Sequence, residues 1–339
     1  MRAVLIGLGQ RALGDYVPAL AALSEEVELV GVCDVDPAAN QRFLAALKNY
    51  PSLPVPEYFT DRRHALDAQR PDLAIVATPH NTHLDIARDL LERKIAILKE
   101  KPFAISIEQA GELARVIETY DGHLRLCVQR RHHPLYIHAR QSLASIGTLR
   151  HFDAAYQLNA EAYRQGWRAQ SETSGGGAII DMGYHLIDLL YWYFGMPSTV
   201  YATSAPKLIP TAEYDIEETV LANLTYPGGA TGILRLSLCE ARKDEWLAVS
   251  GSAGQILLTK KSLERYDRAD VLVEQEKGEP DGASALNVLR SMIAELSNPD
   301  IVRQEVANGL GSTAIIDALY RSISTAVPVG PVRPKEYCA

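Results

Sequence analysis

Cysteine is scarce. Cys33, Cys127, Cys239 and Cys338 are the four in 339 residues, and they lie far apart with no paired ligand spacing. That excludes a small disulfide-stapled scaffold and predicts reduced thiols in a reducing compartment. Positive charge is also short: 34 Lys and Arg stand against 42 Asp and Glu, a formal net charge of −8. Without a basic footprint to grip phosphate backbones, a nucleic-acid partner is not expected. No apolar run reaches the roughly 20 residues that a bilayer span needs. The densest, "HLIDLLYWYFGM" from His185 to Met196, is interrupted by Asp188, so no membrane partner is expected. "MRAVLIGLGQ" passes directly into a glycine turn, without the longer apolar core and small-residue cleavage site of a secretory signal. A cytoplasmic location is the expectation. Internal repeats and low-complexity tracts are missing as well.

Hydrophobic residues make up 47% and charged residues 22%, the balance of an ordinary globular protein. The length exceeds the roughly 250–300 residues that one core organises, so two domains are expected. In the first part, Arg2 to Ile6, Val27 to Cys33, Asp72 to Thr78, Ile95 to Lys99 and Leu124 to Val128 are short apolar runs. Helical patterns separate them, as from Gly7 to Ala22, Thr82 to Arg93 and Ser106 to Tyr120. Strands apolar on both faces and alternating with helices require a covered parallel sheet, so residues 1–127 are predicted to be a doubly wound Rossmann domain. From about Gln129 the period changes to two. "HFDAAYQLN" puts Phe152, Ala154, Tyr156 and Leu158 on one face, and "TVLANLTYPGGATGILRLSLCEA" reads as a hairpin turning at Pro227, Gly228 and Gly229. Another pair flanks Gly251 to Gly254. Residues 128–339 are therefore predicted to be an α+β domain with a large, mainly antiparallel open sheet. "EQEKGEPDGA", Glu274 to Ala283, is the expected mobile loop.

Gly7, Gly9 and Ala12 form G-x-G-x-x-A after the first strand, small residues that allow a tight turn, close approach to a pyrophosphate and helix-on-strand packing. Asp34 ends the second strand about 20 residues further on, the spacing of an acid that accepts hydrogen bonds from an adenosine ribose. A 2′-phosphate about 4 Å from that carboxylate would be repelled by roughly 1–4 kcal/mol, so NAD is expected over NADP. Arg11, inside the turn, is the residue that could reach a 2′-phosphate. The structural alternative is that Asp34 only caps the segment beginning at Pro37.

Glu100, Lys101 and Pro102 follow the fifth strand, at the edge where doubly wound folds hold ligands. "SGGGAIIDMGYHLIDLLYWYFG" opens with Gly175, Gly176 and Gly177 and continues as a mostly apolar helix. On a regular helix Asp181, His185 and Asp188 share about 60° of arc. Buried carboxylates and imidazole need partners. This polar stripe is either an internally paired network or a proton-transfer apparatus, and the glycines ahead of it let a ligand or a backbone come close. His132, His133 and His138 lack a cysteine or carboxylate at matching spacing, so no metal site is assigned.

The glycine turn, Asp34, "ATPHNTH" from Ala77 to His83, "EKP" from Glu100 to Pro102, "QRR" from Gln129 to Arg131 and "WR…GGG…DMGYHLID" from Trp167 to Asp188 occur in one order that resembles the Gfo/Idh/MocA oxidoreductase family. "SGSAGQILL" and "TAIIDALYRSISTAVPV" resemble its closing segments. The resemblance implies a nicotinamide-dependent dehydrogenase or reductase acting on a sugar, cyclitol, keto-sugar or related polyol, with Lys101, Asp181 and His185 around the reacting carbon. Its cofactor side would comprise Gly7, Gly9, Gln10, Arg11, Ala12, Asp34, Thr78, Pro79, Asn81, His83, Glu100, Lys101 and Gln129. Tyr163, Trp167 and Arg168 are candidate substrate contacts, with an ordinary packed loop as their alternative. In similar proteins the EKP peptide is often cis, which makes Lys101–Pro102 a candidate cis bond. A homodimer or homotetramer through the open sheet is expected. Two rivals stand: a reductase of an imine, dihydrodiol or other non-sugar compound on the same fold, and a dinucleotide-binding regulator without turnover. The presence of both Lys101 and His185 argues against the regulator.

Overall fold

The computed structural model describes residues 1–278, 285–296, 298–332 and 334, so Cys338 lies outside the described residues. The chain divides into two compact units. The first holds residues 1–104, 112–129 and 283–307. Its strands are β1 (Arg2–Ile6), β2 (Glu28–Cys33), β3 (Glu57–Phe59), β4 (Leu73–Val76), β5 (Ala96–Lys99) and β6 (Leu124–Leu126). They form one sheet in the order β3-β2-β1-β4-β5-β6, with every neighbouring pair parallel. All residues of β4, β5 and β6 are buried, as a sheet covered on both faces requires. The strand order reverses between β1 and β4, so the carboxyl ends at Ile6 and Val76 flank the crevice where such sheets hold ligands.

The expected single boundary at 127/128 meets a chain that returns. Helix Ala285–Glu295 packs on helix Val17–Ala22 and contributes Val288, Leu289 and Met292 to the core formed by Leu5, Tyr16, Leu20, Leu29 and Leu98. An apolar stripe in a sequence does not name the surface that it covers.

The second unit holds residues 105–111, 130–282 and 308–339. Its strands are β7 (Leu149–Asn159), β8 (Thr199–Ser204), β9 (Thr219–Thr225), β10 (Thr231–Ser237), β11 (Cys239–Gly251), β12 (Gly254–Thr259), β13 (Ser262–Asp267) and β14 (Leu272–Lys277). The sheet order is β14-β13-β12-β11-β7-β10-β9-β8, antiparallel except for the parallel pair β7 and β10. Alternation is clear in β9, where Val220, Ala222 and Leu224 are buried between exposed Leu221 and Asn223. The β9–β10 hairpin turns through Gly228 and Gly229, both at φ +88, a region open to glycine. Helix Tyr184–Phe194 lies on β7, with Phe194 stacked on Phe152 at 5.1 Å between ring centres. Glu274–Lys277, expected in a mobile loop, belong to β14; residues 279–283 of that stretch lie outside the described residues. No helix among the described residues is long and apolar enough to cross a membrane.

Candidate active site

The glycine turn leaves β1 at Gly7, whose φ is +91. A Cβ there would stand 2.6 Å from the Ala77 carbonyl oxygen and 2.9 Å from Thr78 Cγ2, so only glycine fits. Gly9 is the opposite case, with nothing within 4 Å of where a Cβ would stand. Gln10 and Arg11 begin the helix and Ala12 is buried beneath it. The expected regular helix contains a π turn over Ala12–Tyr16, closed by the Val17 N–H on the Ala12 carbonyl, and such turns are frequent at functional sites. Room at Gly9 ahead of a helix N-terminus fits a pyrophosphate.

Asp34 is tied to that turn. Its Oδ2 accepts from the Leu8 N–H at 2.7 Å and its Oδ1 from the Asp36 N–H at 2.9 Å. The cap of helix Pro37–Leu47 is Asp36, which accepts from the Ala38 N–H at 2.9 Å, so the capping alternative for Asp34 is set aside. Each Asp34 oxygen keeps capacity for a further donor, as binding a ribose diol requires. Arg11 is committed elsewhere: Nε donates to Glu100 Oε1 at 2.9 Å and Nη1 to Asp15 Oδ2 at 2.7 Å. Burial opposes its charge, but Glu100 and Asp15 raise its proton affinity above the ordinary arginine range. Two of its five N–H donors are thereby committed to carboxylates. Buried Glu100 also accepts from Tyr16 Oη at 2.8 Å, so its side chain ties the EKP turn to the glycine helix.

In the loop after β4, Thr78 and Thr82 hydroxyls meet at 2.7 Å, Pro79 is half-buried and Asn81 is exposed. His83 departs from expectation. It is buried, with Nε2 3.0 Å from the Thr78 carbonyl and Nδ1 3.0 Å from Lys99 Nζ, so it holds Lys99 and offers no open ring nitrogen to a cofactor. Lys101 is half-buried, the Lys101–Pro102 bond is cis, and Gln129 is half-buried at the start of a short 3-10 turn.

Asp181 and His185 belong to the second unit. The glycines ahead of them are explained by the chain itself: Cβ atoms at Gly176 and Gly177 would overlap the Tyr320 hydroxyl and the Glu217 backbone. The Glu217 carboxylate accepts from the N–H groups of Gly177 and Ile179, each at 2.8 Å, and from Tyr320 Oη at 3.0 Å. Burial raises the Glu217 carboxyl above its usual range, and those donors oppose the shift. The helix again opens with a π turn, Ala178–Met182, which carries buried Asp181. Arg168 Nε donates to Asp181 Oδ2 at 2.9 Å and its guanidinium lies 4.3 Å from the Trp167 ring centre and 5.2 Å from that of Tyr163. Three candidate substrate contacts and one candidate catalytic residue thus form one cluster. His185 is half-buried on helix Tyr184–Phe194.

The third member of the expected stripe has another task. Asp188 receives a two-pronged bond from Arg131, at 2.7 and 2.8 Å, and one from Ser312 Oγ at 3.1 Å, and so fastens its helix in place. Of the histidine run, His133 Nδ1 caps helix Pro134–Ser142 and His138 sits between Glu274 and Glu276. Sequence reasoning missed Lys99, Glu217, Tyr320 and the Arg131 clamp. Only Lys99 left a signal, a lysine inside the apolar run that forms β5.

Residues 1–126 match the oxidoreductase family with an NAD-binding Rossmann fold, and residues 136–257 match the GFO/IDH/MocA C-terminal domain. The rhizopine catabolism protein MocA of Rhizobium meliloti is 30% identical over 259 residues, 74% of this chain and 75% of that one. The chain belongs to the Gfo/Idh/MocA family of NAD-binding oxidoreductases. Another relative in the family, D-glucoside 3-dehydrogenase of Escherichia coli K12, is 25% identical over 360 residues, covering 97% of each chain. The fold is that of the WlbA dehydrogenase from Bordetella pertussis, solved in complex with NADH and UDP-GlcNAcA. The TM-score is 0.79 at 21% identity, covering 98% of this chain and 99% of that one.

Proposed function

We propose that this Gfo/Idh/MocA oxidoreductase transfers a hydride between nicotinamide and a carbinol or ketone carbon of a sugar, cyclitol or keto-sugar derivative, with Lys101, Asp181 and His185 handling the proton. The observation that carries the sugar reading is the Arg168–Asp181 pair: a buried carboxylate bonded to a guanidinium, beside Trp167 and Tyr163. Carboxylate and guanidinium offer acceptors and donors to neighbouring hydroxyls, and aromatic faces cover the apolar side of a sugar ring. The names of D-glucoside 3-dehydrogenase and of the UDP-GlcNAcA complex support the same class.

NAD, when bound, supplies the acceptor for the hydride that leaves the carbinol carbon. In this direction His185 takes the hydroxyl proton, work suited to an imidazole near neutral pH. Asp181 orients a neighbouring hydroxyl. Lys101, as a cation, stabilises the oxygen as its negative charge grows and the C–O bond becomes a carbonyl. Asp34 holds the ribose diol, and the space at Gly9 admits the pyrophosphate. Reduction of a ketone follows the same path reversed.

The thiols Cys33, Cys127 and Cys239, free of disulfides among the described residues, suit a reducing cytoplasm. Exposed Tyr201, Leu221 and Ile233 on β8, β9 and β10 support pairing of copies through the open face of the second sheet. The reaction is tested by following the reduced-nicotinamide band with NAD and NADP against myo-inositol, D-glucose, methyl D-glucosides and UDP-N-acetylglucosamine, and with the reduced cofactors against keto-sugars. NAD-dependent turnover of one of these is expected; turnover confined to imines or dihydrodiols would overturn the sugar reading.

A further inference from the structure

Lys99 is the last residue of β5 and has no exposed surface. Burying an ammonium is costly unless each of its protons finds an acceptor. Here three acceptors converge: the Glu100 carbonyl at 3.0 Å, His83 Nδ1 at 3.0 Å, and the Pro102 carbonyl. An ammonium has three protons and no lone pair, so this set uses it completely. The tautomer of His83 follows from its other contact. Nε2 faces the Thr78 carbonyl, which can only accept, so Nε2 carries the proton and Nδ1 offers its lone pair to Lys99. Burial, with Lys99 and His80 adding to it, holds His83 well below the ordinary imidazole range, in keeping with a neutral ring.

The two carbonyls that Lys99 grips belong to the residues on either side of Lys101. We propose that Lys99 is a positioning residue for Lys101: its ammonium, braced by His83 against the Thr78 loop, fixes the backbone from which the Lys101 side chain departs. This rests on the reading of Lys101 as the catalytic lysine. It joins two segments, the Thr78–His83 loop and the EKP turn, through one charge, and it gives His83 a task that needs no contact with cofactor.

The arrangement has a pH signature. Burial draws the Lys99 ammonium down to about 7, with Glu100 raising it and Lys101 lowering it. The groups that face it in the first unit are His83, with His80 behind, and the charges of Glu100 and Lys101. Loss of its proton leaves one of the three acceptors facing a lone pair, and the turn loses a tie. Turnover should therefore fall as pH rises through neutrality, while dinucleotide binding does not.

The test compares Lys99→Met, His83→Leu and Lys101→Met, using a sugar from the panel above that is turned over, with NADH affinity measured by fluorescence on each preparation. Lys99→Met should lower kcat about a hundredfold, the scale of a misplaced catalytic group, and erase the fall at neutral pH. NADH affinity should stay within about twofold of the parent, as expected when an interaction made only in the transition state is lost. Should Lys99→Met fail to fold, His83→Leu carries the test: with one acceptor gone, the fall should move to lower pH while activity at the acid end persists. Parental kcat and pH profile in both folded variants, with Lys101→Met inactive, would overturn the role of Lys99 alone. Full turnover by Lys101→Met would overturn the functional reading and this inference with it.

Discussion

Arg168 Nε donates to a buried Asp181 oxygen at 2.9 Å while its guanidinium plane rests 4.3 Å from the Trp167 ring centre. Arg168→Ala removes a charged donor from that carboxylate. Because the arginine side chain is 36% exposed, water offsets part of the loss, and the expected destabilisation is about 1–3 kcal/mol. Urea unfolding measures it, and no change in midpoint would show that Asp181 is satisfied without the arginine.

Gly7 and Gly9 stand two residues apart yet should fail in different ways. Gly7→Ala forces a Cβ against the Ala77 carbonyl at a φ of +91 and should lower the thermal midpoint. Gly9→Ala meets no protein atom and should leave the midpoint in place while weakening NADH binding at least about tenfold, because on the proposed reading its methyl enters the space of the pyrophosphate. Calorimetry and NADH fluorescence on both variants separate the two outcomes; equal binding by Gly9→Ala and the parent would remove the pyrophosphate from that space.

Much of this was legible in the sequence because it depends on local rules. Continuous apolar runs gave the parallel sheet, period-two runs such as Val220, Ala222 and Leu224 gave the antiparallel one, and the glycine turn carried its own steric reason. What depended on partners across the chain was not legible. Asp181, His185 and Asp188 looked equivalent on one helix, but Arg131 and Ser312 claim Asp188 and Arg168 claims Asp181. Arg11 looked open to a phosphate, and Glu100 and Asp15 hold two of its donors. The run of Gly175, Gly176 and Gly177 left open whether a ligand or a backbone comes close, and the groups that do so at Gly176 and Gly177 are the Tyr320 hydroxyl and the Glu217 backbone.

Asp34 should set the cofactor preference. Asp34→Ala removes both the proposed ribose acceptor and the anchor for the Leu8 N–H, so NAD should bind more weakly and its advantage over NADP, roughly 1–4 kcal/mol at most from charge repulsion, should shrink. Parallel titrations with the two dinucleotides report this, and a parent enzyme that already prefers NADP would contradict the assignment.

His138 supplies a pH dependence of stability. Burial lowers its proton affinity, but bonds to Glu276 and Glu274 outweigh that and raise it above 6.5. A raised folded value means that the charged pairing stabilises fully below about 6.5, and that the contribution disappears as pH climbs through the folded value. His138→Gln should therefore be less stable than the parent at pH 6 and match it in mildly alkaline buffer. A stability difference that is the same at both ends would show that His138 acts through packing alone.

The proton-transfer role of His185 gives the most direct measurement. Turnover of His185→Asn is compared with the parent on the same sugar, alongside NADH affinity. A loss of about 10²–10⁴-fold in kcat with NADH affinity retained is the result predicted for a general acid–base group; turnover at the parental rate would contradict the account.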